Sequence, residues 1–219
     1  MKLKKFAALA LAGMMAVSML AACSDKTTNG EEEDNQIVAT SDAVTYANDA
    51  LSASMKEHAT FKANPTLDGW VKDIATDTSV FNATDIAHTY NNLFDAKGND
   101  NNRLHQQDMR EELTKKLKDS NVLVTSDFET VPADKASQCR SWLYTVSGSL
   151  DEKAAVQMAV KTVSSVDFPL TIEDNKYTCE YSPEISALRV TNESLTGESA
   201  WVVAIVVTQT VTEAANVEA

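Results

Sequence analysis

The sequence predicts an α+β protein with a helical first half, followed by a mainly antiparallel sheet of about five strands carrying one packed helix. Two periodicities predict it. Apolar residues recur every three or four positions between residues 41 and 119, and every second position after Ser120. The short connections between the later segments favour antiparallel neighbours.

The elements follow in order. Ser41-Asp42 suits the start of a helix that carries Val44, Ala47, Leu51 and Met55 on one face. Asn64-Pro65 breaks the chain, and a short helix with Trp70, Val71 and Ile74 follows. Thr84-Asp85 starts the next, with Ile86, Ala87, Tyr90, Leu93 and Phe94 at helical spacing and Gly98 as its stop. Asn99 to Asn102 is a polar loop, after which Met109, Leu113 and Leu117 define a fourth amphipathic helix.

Beyond Ser120, Val122, Val124, Ser126 and Phe128 alternate as a first strand, which Pro132 ends. Trp142, Tyr144 and Val146 mark a second. Ser149 and Glu152 have the spacing of a capping box opening a helix. Its apolar positions include Ala155, Met158, Ala159 and Val163, with Lys153, Gln157 and Lys161 on the polar side, so it packs on a sheet face. Tyr177, Cys179 and Tyr181 form a third strand. Ser182-Pro183 reads as the connection to a fourth at 185–191. Residues 200–212 are apolar on both faces, which places this last strand centrally, and the tail 213–219 frays. The globular domain is thus expected at 41–212, with a helical part 41–120 and a β-β-α-β-β-β part 121–212.

The first 22 residues belong to no fold. Lys2, Lys4 and Lys5 precede an apolar stretch from Phe6 to Leu20, the layout of an export signal. Leu20-Ala21-Ala22-Cys23 then resembles the lipobox of bacterial lipoproteins. That resemblance implies cleavage of residues 1–22, a diacylglyceryl thioether on Cys23, and palmitate-type acyl chains that hold the protein at the extracytoplasmic face of a membrane. Each buried methylene contributes about 0.8 kcal/mol, so two chains anchor firmly where one is marginal. Residues 23–40 read as a flexible acidic tether, with Glu31, Glu32, Glu33 and Asp34 in a row. The longest apolar run elsewhere, Trp201 to Val207, is far too short to span a bilayer.

Charge and composition exclude several functions. The chain carries −13, and loss of three signal-peptide lysines takes it to −16, which disfavours nucleic acid. The glycines at 13, 30, 69, 98, 148 and 197 are too dispersed for a phosphate-cradling loop. His58, His88 and His105 form no metal motif, so neither cofactor nor metal is expected. Residues 95–102 are similar to a calcium loop only in outline, because Lys97 stands where an oxygen ligand belongs.

Three constellations remain. Cys139 and Cys179 are either a disulfide, closing a loop of about 40 residues for roughly 4 kcal/mol, or two buried thiols. Thr178-Cys179, followed by Arg189-Val190, resembles the strand-borne Thr-Cys and later Arg of sortase transpeptidases. That resemblance implies a Cys179 nucleophile and an oxyanion-stabilising Arg189. Trp142, Tyr144, Tyr177, Tyr181 and Trp201 fall on the expected sheet and form either core or a binding platform for a sugar or peptide. The reading of the whole is a membrane-anchored, non-catalytic binding module for a protein, peptide or glycan. The alternative is an envelope enzyme, either Cys179-dependent or a carboxylate-dependent hydrolase.

Overall fold

Residues 42–214, apart from 102, 133–135, 165, 167 and 193–197, are described by a computed structural model of the chain. Cys23, the signal peptide, the tether and the end of the tail lie outside the described residues.

Among the described residues there are six helices: α1 (Asp42–Ala50), α2 (Ala53–Lys56), α3 (Pro65–Thr76), α4 (Ala83–Ala87), α5 (Arg103–Asp119) and α6 (Glu152–Val163). Side-chain caps open four of them, α2, α3, α4 and α6. Asn64 caps α3 by accepting from Thr66 N and Leu67 N, with Pro65 in the first turn, where its missing N–H costs nothing. Asn82 and Asp85 cap α4 reciprocally, so the cap lies two residues before Thr84 and the helix begins at Ala83. The cap of α6 is Asp151, which accepts from Ala154 N at 2.7 Å, rather than Ser149. Ser149 is drawn away, donating to Asn91 Oδ1 at 3.0 Å.

The expected helix from residue 84 to Gly98 is cut short at Ala87. Beyond it, Tyr90 O accepts from Ser147 N at 2.9 Å and the chain docks on a sheet strand, leaving Tyr90 50% and Phe94 40% exposed. Gly98 does not stop a helix. It sits at φ 81° in a tight turn in which Asp95 Oδ1 accepts from Lys97 N and Asn99 N. Asp95 is thereby committed to its own loop, and its carboxyl is held below the usual range chiefly by Asn99. Among the described residues, no group of three His, Cys, Asp or Glu side chains is placed to hold a metal.

Among the described residues the sheet has four antiparallel strands, not five, in the order β1-β4-β3-β2: β1 (Ser137–Ser147), β2 (Thr171–Ile172), β3 (Tyr177–Asn192) and β4 (Glu198–Glu213). Two expected strands differ. Residues 122–128 make a single bridge, Val124 to Cys139, because Thr125 Oγ1 bonds Asp127 O and Asp127 Oδ1 accepts from Glu129 N, turning the chain away. The third and fourth expected strands are one, running straight through Pro183. The missing N–H of Pro183 points away from β4, and its carbonyl accepts from Lys62 N at 3.0 Å, so no ladder bond is lost.

β4 lies centrally, as its apolar run requires. Trp201, Val203, Ile205 and Val207 join one core with α1 and α6, while Ala200, Val202, Ala204 and Val206 join a second with α3 and α5. Helices thus cover both faces, where one packed helix was expected. The outer edge of β1 is sealed by α5: Gln106 Oε1 accepts from Thr145 N at 3.1 Å, and Arg110 Nε donates to Leu143 O at 3.0 Å. Asp100 holds both side chains in place, accepting from Gln106 Nε2 at 2.7 Å and from Arg110 at 3.0 Å.

Candidate functional site

The structure separates the residues that the sequence singled out. Cys139 and Cys179 are both free and buried, and they do not form the expected bridge. They sit on β1 and β3 with β4 between them, and they join opposite cores. Two strand spacings amount to roughly 9–10 Å, beyond the reach of a disulfide at ~7 Å. Burial pushes the Cys139 thiol up to about 12. It raises Cys179 as well, against hydrogen bonds from Gln209 and Tyr181 that pull the other way. Arg189 lies ten residues further along β3, roughly 33 Å at the strand rise, and its guanidinium donates to Gly148 O at 2.9 Å. The geometry brings no arginine of the sortase pattern to Cys179.

The sheet aromatics Trp142, Tyr144, Tyr177, Tyr181 and Trp201 all face the α1/α6 side. Tyr144, Trp201 and Tyr181 are buried, and Trp201 Nε1 donates to Leu150 O at 2.9 Å. Trp142 is half-buried beneath Arg140, whose guanidinium lies 5.0 Å from the ring centroid. These rings are packing elements of the covered face.

Tyr181 leads to a site that the sequence did not announce. Its hydroxyl donates to Pro169 O at 2.7 Å and accepts from Gln209 Nε2 at 3.1 Å. Its ring meets Phe168 at 5.1 Å and Phe128 at 5.3 Å, both edge-on. Tyr181 and Phe168 of this cluster line a cavity of about 270 Å³ at the C-terminal ends of α1 and α6. Tyr181, Pro183 and Val207 form the sheet floor. Leu51, Met55 and Phe61 line one side, and Val163, Phe168 and Leu170 the other. The cavity exists because α6 ends at Val163 and α1 at Ala50 while the sheet continues beneath them.

Among the described residues, no Lys, Arg, Asp or Glu lines it, and His58, exposed at the mouth, is the one imidazole. Ser164 also lines it, and its buried Oγ has no hydrogen-bond partner among the described residues. A sugar, peptide or nucleotide placed here would strand polar groups at roughly 2–7 kcal/mol each. A hydrocarbon would strand none. The sequence held one weak signal: the apolar residues Val166, Phe168 and Leu170 alternate at every second position after a helix, with Pro169 interrupting them.

Fold and site together define an α+β protein whose four-stranded antiparallel sheet is covered on both faces, with an apolar cavity beside its helical layer. Comparison of the chain with protein-family models, with curated proteins and with solved structures finds no match.

Proposed function

We propose that this chain is a lipid-anchored extracytoplasmic module that binds a small apolar ligand in the cavity between the ends of α1 and α6, without acting on it chemically. The observation that carries the reading is the lining itself: among the described residues it has aliphatic and aromatic walls, no charged side chain and a single unpartnered hydroxyl. The resemblance of Leu20-Ala21-Ala22-Cys23 to a lipobox supports the anchor. The burial of both domain cysteines supports a binding role over a thiol-dependent one.

The test is titration of the mature protein with a neutral naphthylamine dye whose emission rises in apolar surroundings. Saturable binding is expected, weakened at least tenfold by Ala59→Trp, which fills the mouth from a half-buried position. Absence of saturable binding, or binding indifferent to that substitution, removes the reading. The anchor is tested separately: Cys23→Ser is expected to move the protein from the membrane to the soluble fraction.

A further inference from the structure

We infer that the ligand is the hydrocarbon tail of a single-chain amphiphile, buried for about nine carbons with its polar head left at the His58 rim. The inference rests on the binding role just proposed and narrows it by size, polarity and rim.

Size comes first. At roughly 30 Å³ for a water-sized group, a cavity of about 270 Å³ takes about nine methylene-sized units. Two acyl chains or a fused tetracyclic ring exceed that. Polarity comes second. Inside, among the described residues, Ser164 Oγ is the unpartnered polar atom, while the Tyr181 hydroxyl is engaged by Pro169 and Gln209. An ionised or multiply hydroxylated head would lose its hydration there with little in return, so it stays outside. The rim comes third. Leu170 is 46% exposed at the mouth and Met55 is half-buried, so the apolar path continues outward beside exposed His58. Met55 is also flexible enough to follow a bending chain.

Straight-chain carboxylates of about six to about fourteen carbons, below their micelle concentrations, are to compete with the naphthylamine dye for the full mature protein. Affinity is expected to rise roughly fourfold per methylene, then to flatten near nine carbons. Met55→Trp is expected to move the break to shorter chains, and Ala59→Phe repeats the test from the neighbouring turn if the first variant loses its native circular dichroism. An affinity that climbs through the whole series without a break overturns the inference. So does a compact two-ring hydrocarbon that outcompetes the chain of equal carbon number, or a break unmoved in both variants. If the dye itself does not bind, it is the broader binding role that fails.

Discussion

Gln138 donates through Nε2 to Oε1 of Gln209 at 2.7 Å, across a direct β1–β4 pair in which both side chains are buried. The bond is the centre of a buried hydrogen-bond cluster that also reaches Cys179 Sγ. Gln138 also donates to Thr130 O at 2.8 Å, Gln209 to Phe128 O at 2.9 Å and to the Tyr181 hydroxyl, and Tyr181 to Pro169 O. Two irregular segments are thereby pinned to the sheet, one of them forming a cavity wall. Gln209→Leu takes from Phe128 O its bond and removes one of the two bonds made by Gln138 Nε2 and by the Tyr181 hydroxyl, so a loss of roughly 1–3 kcal/mol is expected in urea denaturation. A double-mutant cycle with Gln138→Leu is expected to show coupling of about 1 kcal/mol. Strict additivity would mean the cluster does not act as a unit.

Gly148 and Gly69 are expected to respond oppositely to alanine. A Cβ on Gly148 would collide with Ser199 Oγ and lie 2.6 Å from the Ser199 carbonyl carbon, where Gly148 N donates to Ser199 O at 2.7 Å. Overpacking against backbone predicts a loss of about 2 kcal/mol. Gly69 stands exposed in α3 with nothing within 4 Å of its Cβ position, so Gly69→Ala is expected to stabilise by roughly 0.5–1 kcal/mol. Thermal melting of the two variants gives both signs.

Removing the seal on β1 has a consequence beyond stability. Gln106→Leu takes the Oε1 acceptor from Thr145 N and one donor from Asp100. A cost of roughly 1–3 kcal/mol is expected. The uncovered edge is also expected to self-associate, visible as concentration-dependent sedimentation that the parent chain lacks. A monodisperse Gln106→Leu protein would show that Arg110 and Tyr90 suffice.

The thiols set the alkaline limit. Cys139 holds its proton to about 12 in the fold but loses it near the ordinary 9.0 when exposed. Tyr144, buried likewise, is raised from 10.0 to about 12 despite the neighbouring Arg110. Above each ordinary value the unfolded chain binds fewer protons than the folded one, so stability falls as pH rises. The loss is expected to begin near 9.0 at about 1 kcal/mol per pH unit, steepening above 10.0. Cys139→Ala is expected to reduce the first slope, to which Cys179 also contributes, and Tyr144→Phe the second. Iodoacetamide is expected to label both cysteines on unfolding without reductant. A requirement for reductant would restore the disulfide.

Local chemistry accounts for what was legible in the chain. Asn64-Pro65 started a helix because a side-chain acceptor and a missing donor act within one turn. Met109, Leu113 and Leu117 were core residues because one face of α5 must be buried. The run Trp201–Val207 was central because both of its faces are apolar. Each depends on neighbours a few residues away, or on the sign of burial alone.

What depended on distant partners was decided only by the tertiary structure. Pro183 reads as a break until β4 is known to lie on the side away from its missing N–H. Residues 88–94 read as helix until Ser147 takes the Tyr90 carbonyl. Cys139 and Cys179 read as a pair until a strand is placed between them. The cavity is the extreme case: Leu51, Phe168, Tyr181 and Val207 come from four separate stretches, and a concavity is set by where packed elements stop, a quantity that no periodicity carries.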